Sequence, residues 1–229
     1  MSACAMAIDR HNPARRAEKL RMQRLPFAIF GAWFTLSLSK NAVLALVERG
    51  SDLFWVGDAI FYVFFPFVLA LPLLNSRDRW ADFGLHPIRN ADIGRAMFAA
   101  ALLFAVYIFT LQLAYRFFYS PDTLQWNYGE ILPKMALAKF AFAIYLSLTA
   151  AFAEEFYFRG VLSSLIKNGR IYVATSAITF GVAHWAHGAY NVVAATVYGA
   201  VAAALYRTFG SRLSPLVAAH FVIGMYWFS

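Results

Sequence analysis

The sequence predicts an all-α fold, a polytopic bundle of about seven transmembrane helices, and three observations carry that prediction. Of the 229 residues, 61% are apolar and only 14% are charged, against roughly 45–50% and 25% in an ordinary soluble domain. Apolar stretches recur from Pro26 onward, each near the roughly 20 residues that cross a hydrocarbon core of about 30 Å. Between them, basic residues gather in every second connecting segment, the pattern left by a chain threading back and forth through a membrane.

Residues 1–25 form a basic leader, with Arg10, Arg15, Arg16, Lys19, Arg21 and Arg24 against Asp9 and Glu18. The leader runs directly into an apolar segment that continues through Lys40 to Val47 without a clear small-residue cleavage site. An uncleaved first span is therefore expected, with the leader and N-terminus in the cytoplasm. Residues 26–229 read as a single integral membrane domain of a multi-pass cell-membrane protein. Its expected helices are about 26–47, 53–74, 96–119, 134–166, 171–187, 190–206 and 213–228, the fourth long enough to tilt or break. Arg77, Arg79, Arg89 and Arg95 lie between the second and third, Lys167 and Arg170 between the fourth and fifth, and Arg207 and Arg212 between the sixth and seventh. The other connections are acidic or neutral, including Asp122 and Glu130 in 120–133, so seven crossings with the C-terminus outside are expected.

Within residues 76–95, Trp80, Phe83, Leu85 and Ile88 suit a segment lying along the cytoplasmic interface, although a solvated connector would read the same way. Ala195, Gly199 and Ala203, at four-residue spacing, offer a stripe for close helix packing. Cys4 is the single cysteine, which excludes a disulfide scaffold and a thiolate metal site. The net charge of +8 is accounted for by segments flanking apolar spans, so no nucleic-acid partner is expected.

Ionisable side chains at membrane depth are expensive and mark cavities, partners or function. Lys40, Arg116 and Lys139 lie near enough to span ends to snorkel, and Asp58 lies early in the second span, so all four read as structural. The rest concentrate in the last third of the chain. Glu154 and Glu155 are adjacent carboxylates in an apolar helix, and Glu155 with Arg159 forms an i, i+4 pair on one face. Glu154 lies about 100° around the helix from Glu155, so it can project into a separate cavity and suits proton transfer. His184 and His187 close the fifth span, and His220 lies within the seventh. A glutamate with two histidines from three helices can orient a water, the glutamate as general base and a histidine as its partner or as oxyanion stabiliser. The same three groups also form a possible zinc set, though no H-E-x-x-H motif is present.

These residues resemble a known family, the CPBP intramembrane proteases, which include the type II CAAX prenyl endopeptidases and the bacterial bacteriocin-processing or Abi proteins. Glu154-Glu155-x-x-x-Arg159 is similar to the first family motif and Phe180-Gly-Val-Ala-His184 to the second. His220, in Ser214-Pro-Leu-Val-Ala-Ala-His220, is similar to the third. The order agrees, and so does the connecting Leu205-Tyr206-Arg207-Thr208-x-Gly210-Ser211. The resemblance covers about 134–224, which would form a protease-like core. It implies a glutamate-dependent endopeptidase acting on a membrane-associated peptide or protein tail. By motif, Glu154 and His184 would activate the attacking water, His220 would stabilise the oxyanion, and Glu155 and Arg159 would position the first motif. No cofactor is expected; a divalent metal such as zinc at Glu154, His184 and His220 is the alternative.

One position departs from the pattern. The third motif places Asn, sometimes Asp, four residues after its histidine, and here that position is Gly224. The chain is then impaired, belongs to a branch with altered chemistry, or supplies another donor, for which His187 and Asn191 are the candidates, three and seven residues beyond His184 and so on its face if the helix continues past Gly188. Two other classes of function compete with the protease. One is a non-catalytic membrane scaffold or bacteriocin-immunity protein, with Gly224 as its mark. The other is a small transporter, which would call for repeats or paired broken helices that the sequence does not display.

Overall fold

Membrane helices arise here because runs of Leu, Ala, Phe and Val must satisfy every backbone polar group internally. The computed structural model describes residues 13–44, 46–48, 50–75, 77–120 and 132–228. Among these it contains seven helices and no strand: α1 (Pro13–Leu44), α2 (Asp52–Leu74), α3 (Asn90–Phe118), α4 (Ala136–Leu165), α5 (Gly169–Ala183), α6 (Ala189–Thr208) and α7 (Ser214–Phe228). The protein is an all-α bundle, as the hydropathy pattern predicts. Asp122 and Glu130 lie outside the described residues.

The helices depart from the sequence reading in several places, and α3 starts earlier than expected, at Asn90. The first helix begins at Pro13, a residue whose fixed φ suits a helix start, so the second half of the basic leader continues into the span as one helix. The fifth ends at Ala183 because a 3₁₀ turn over Trp185–His187 and Gly188, at φ 90°, reverse the chain into α6. The fourth keeps its full length but widens into a π turn over Phe156–Val161. Among the described residues five helices are long and apolar enough to cross a membrane: Arg24–Leu44 within α1, α2, α3, α4 and α6. The protein is a multi-pass membrane protein. α5 and α7 have 15 residues each, about 22 Å at 1.5 Å per residue, and alone fall short of a hydrocarbon core.

α5 packs on α6, α6 on α3, and α7 against both α3 and α4. The small-residue stripe does what the sequence predicts. Ala195 and Ala203 are buried, and a Cβ on Gly199 would lie 3.1 Å from the Cβ of Phe180. Contact is closer still at Gly181, where a Cβ would come within 1.9 Å of Thr196 Oγ1. From the far side α1 closes the core, its Trp33 ring stacked 4.3 Å from Tyr157 and edge-on at 4.8 Å to Phe158.

The connections sort to two ends of the bundle. At one end Arg212, preceding α7, holds Asp92 of α3 through Nη2 at 2.7 Å and Nε at 3.0 Å. There too, Leu213 N donates to Gly84 O at 3.0 Å and Arg207 to Ile166 O at 3.1 Å. At the other end Leu44, Phe54 and Ala186 form a second small core, and Tyr115 of α3 meets Tyr190 of α6 at 5.3 Å. The three basic connections thus share one end. Residues 77–83 form a 3₁₀ helix in which Phe83 is not interfacial: it is 1% exposed and packs against Phe156. Its carbonyl meets Gly160, where a Cβ would lie only 2.5 Å away. Trp80 and Ile88 remain exposed, as an interfacial segment requires.

Candidate active site

The two carboxylates occupy the last positions of α4 before its π turn. A π turn accommodates an extra residue and recurs at functional sites. Here its irregular backbone is held from outside, with Ser176 Oγ donating to Phe158 O at 3.1 Å and Tyr157 OH to Pro66 O at 2.6 Å. Glu155 and Arg159 are both fully buried, and Arg159 Nε lies 3.2 Å from Glu155 Oε2. The guanidinium also sits 4.4 Å from the centre of the Phe180 ring, a cation–π contact in a site without bulk water. The expected pairing on one helix face is present.

Glu154 faces a different surface from its neighbour. It lines a cavity of about 400 Å³ whose walls also carry His184, His187, Asn191 and His220. The structure therefore brings together from α4, the α5–α6 turn, α6 and α7 the polar residues singled out in the sequence. His220 stands between the two carboxylates: its Nδ1 lies 2.9 Å from Glu155 Oε1 and its Nε2 3.8 Å from Glu154 Oε2. The sequence pairs Glu155 with Arg159 alone, whereas the buried carboxylate is shared between Arg159 and His220. His184 caps α5 and donates from Nδ1 to Phe180 O at 2.8 Å. Because a carbonyl can only accept, the proton of a neutral His184 is fixed on Nδ1 and Nε2 is left as an acceptor.

His187 and Asn191 do not share a helical face with His184, since Gly188 separates α5 from α6. The turn instead folds them onto the same cavity, the two histidine rings 6.1 Å apart. Tyr107 OH donates to Asn191 Oδ1 at 2.7 Å, which fixes the amide against α3. Arg116 and Lys139 lie toward the surface, as snorkelling side chains do, but Lys40 and Asp58 are buried, 7% and 0% exposed. Lys40 Nζ donates to Tyr62 OH, and Tyr145 OH donates to Asp58 Oδ2 at 3.2 Å. These two charges from α1 and α2 therefore belong to the interior wall behind the cavity, where Tyr62 is part of the lining. Sequence reasoning also missed Ser147 and Tyr198, both on that lining. Ser147 carried a usable signal, since it precedes Glu154 by two helical turns.

Among the described residues no group of three or more His, Cys, Asp or Glu side chains is placed to hold a metal ion. Nδ1 of His184 and of His220 is directed to a protein oxygen, at 2.8 and 2.9 Å, which leaves Nε2 of each ring toward the cavity.

Compared with known families, residues 136–226 match the model described as Type II CAAX prenyl endopeptidase Rce1-like. The match bears out the family resemblance for that stretch, which contains all three motifs; residues 1–135 lie outside it. No curated protein and no solved structure matches the chain.

Proposed function

We propose, from the premise that residues 136–226 carry the type II CAAX prenyl endopeptidase pattern, that the protein is a glutamate-dependent intramembrane endopeptidase. Its substrate is a membrane-associated peptide or the tail of a membrane protein. The observation that carries the reading is the meeting of Glu154, His184 and His220 from separate helices on one cavity.

The reaction needs only these groups and water. Glu154 and Nε2 of His184 accept the two hydrogens of a water molecule and orient its lone pair toward the scissile carbonyl. Glu154 takes one proton as the new C–O bond forms, and negative charge moves to the carbonyl oxygen. His220 directs Nε2–H to that oxygen while Glu155 holds Nδ1. Glu154 then returns its proton to the amide nitrogen, the C–N bond breaks, and an acid and an amine leave. Arg159 pairs with Glu155, and Glu155 keeps His220 in orientation; both are positioning residues.

The test is membrane-peptide terminomics on cells carrying the native chain, a deletion or Glu154→Gln. Glu154→Gln keeps the side chain's shape and removes the base. New termini near hydrophobic segments should appear with the native chain and vanish equally in the other two. A Glu154→Gln chain that preserves those termini, or that fully restores a deletion phenotype, would make the protein a membrane scaffold instead.

A further inference from the structure

Several threonine side chains within the helices of this protein return their proton to a carbonyl one turn back. Thr110 donates to Val106 O, Thr149 to Tyr145 O, Thr179 to Thr175 O and Thr196 to Val192 O, all between 2.7 and 2.8 Å. Ser147 does not. Its side chain is buried, 1% exposed, and Oγ has no hydrogen-bond partner among the described residues. A buried donor left unpaired is disfavoured, and in a native structure it calls for an explanation.

Its position supplies one. Ser147 and Glu154 are seven residues apart on α4, two turns, and therefore share a face; Ala150 between them lines the same cavity. Across from Ser147 lies Gly224, one turn beyond His220 on α7. A Cβ at 224 would fall 2.9 Å from Ser147 Oγ and 2.9 Å from its Cβ. A glycine there is what leaves room for the hydroxyl, so the two positions are sterically coupled.

The chemistry proposed above also lacks a donor. His184 and His220 each direct Nδ1 to a protein oxygen, at 2.8 and 2.9 Å, so a neutral ring presents only an accepting Nε2 to the cavity. A tetrahedral oxyanion has room for two donors, and His220 supplies one only as a cation. We infer that Ser147 Oγ donates the second hydrogen bond to the scissile carbonyl oxygen, in the space a side chain at position 224 would otherwise fill. The inference rests on the endopeptidase reading. Tyr198 also carries a buried hydroxyl on this cavity with no hydrogen-bond partner among the described residues, but its ring is packed 5.5 Å from Phe180 and 5.8 Å from His220 on α6, away from the face shared by Ser147 and Glu154.

The probe is a quenched-fluorescence peptide spanning a terminus that Glu154→Gln abolishes in membranes. Ser147→Ala should lower kcat about 10²-fold, the scale of losing one oxyanion donor, with KM and the detergent melting temperature close to native. Gly224→Asn alone should also lose activity by crowding Ser147. The double variant Ser147→Gly with Gly224→Asn should regain most of kcat, because it returns a donor to the same space. Native kcat in Ser147→Ala, a loss the double variant fails to recover, or a larger loss in Tyr198→Phe than in Ser147→Ala would each overturn the assignment. If no terminus depends on Glu154, the endopeptidase reading itself falls and this inference falls with it.

Discussion

Glu155 and Arg159 form the pair on which the site rests, and burial sets the size of the effect. Both are fully buried at 3.2 Å, with Glu155 also held to His220 at 2.9 Å. Breaking a buried pair by removing one partner costs about 3–5 kcal/mol, because the remaining charge is left uncompensated. Arg159→Met should therefore lower the melting temperature in detergent sharply and abolish activity. The double variant Glu155→Gln with Arg159→Met should regain much of the stability, since no lone charge remains, but not the activity, since His220 loses the carboxylate that orients it. Thermal unfolding followed by tryptophan fluorescence, beside the peptide assay, checks both. A double variant no more stable than Arg159→Met would show that packing rather than charge dominates at this pair.

At the scale of elements, the π turn after Glu155 is packed so closely that Gly160 is required. A Cβ there would meet the Phe83 carbonyl at 2.5 Å, whereas at Gly94 nothing lies within 4 Å. Gly160→Ala should destabilise by about 1–3 kcal/mol, the range for overpacking, and Gly94→Ala should be neutral or stabilise by up to about 1 kcal/mol through helix propensity. Melting temperatures of the two variants decide it, and equal shifts would contradict the close approach. The contrast also marks what the sequence makes legible. Helices are visible in it because a span needs a long apolar run, and Glu154, His184 and His220 because polar groups in such runs are rare. The π turn has no compositional signature, and Phe83 looks interfacial because an aromatic residue in a polar segment reads the same whether it faces lipid or core. Lys40 and Asp58 look peripheral for a related reason: position in a span gives depth, while only the packed bundle gives direction. The neighbourhood of Ser147 and Gly224 requires knowing that α7 crosses α4, a contact between residues distant in the chain.

The whole molecule reverses the usual arrangement of a soluble protein, and that reversal orients it. Phe64, Phe67, Phe98, Phe109 and Phe140 stand exposed, while Asp58, Asp92, Glu155, Arg159 and Arg212 are buried, an arrangement for which hydrocarbon is the fitting solvent. Basic connections gather at one end, tied by Asp92 and Arg212. Clustered Lys and Arg favour the cytoplasmic side of a bilayer, so the end carrying Lys167 and Asp82 should face the cytoplasm and the end carrying Asp52 the opposite side. The α4 helix leads from the Asp52 end, through Glu154, to the basic end, so the carboxylates lie nearer the basic end. In a Cys4→Ser background, Lys167→Cys and Asp82→Cys should react with a membrane-impermeant maleimide only in inverted vesicles, and Asp52→Cys only in intact spheroplasts. Labelling of Lys167→Cys and Asp52→Cys from the same side would refute the two-ended sorting of the connections. Labelling with both sides exchanged would keep the fold and overturn only its orientation, moving the site's opening to the outer leaflet.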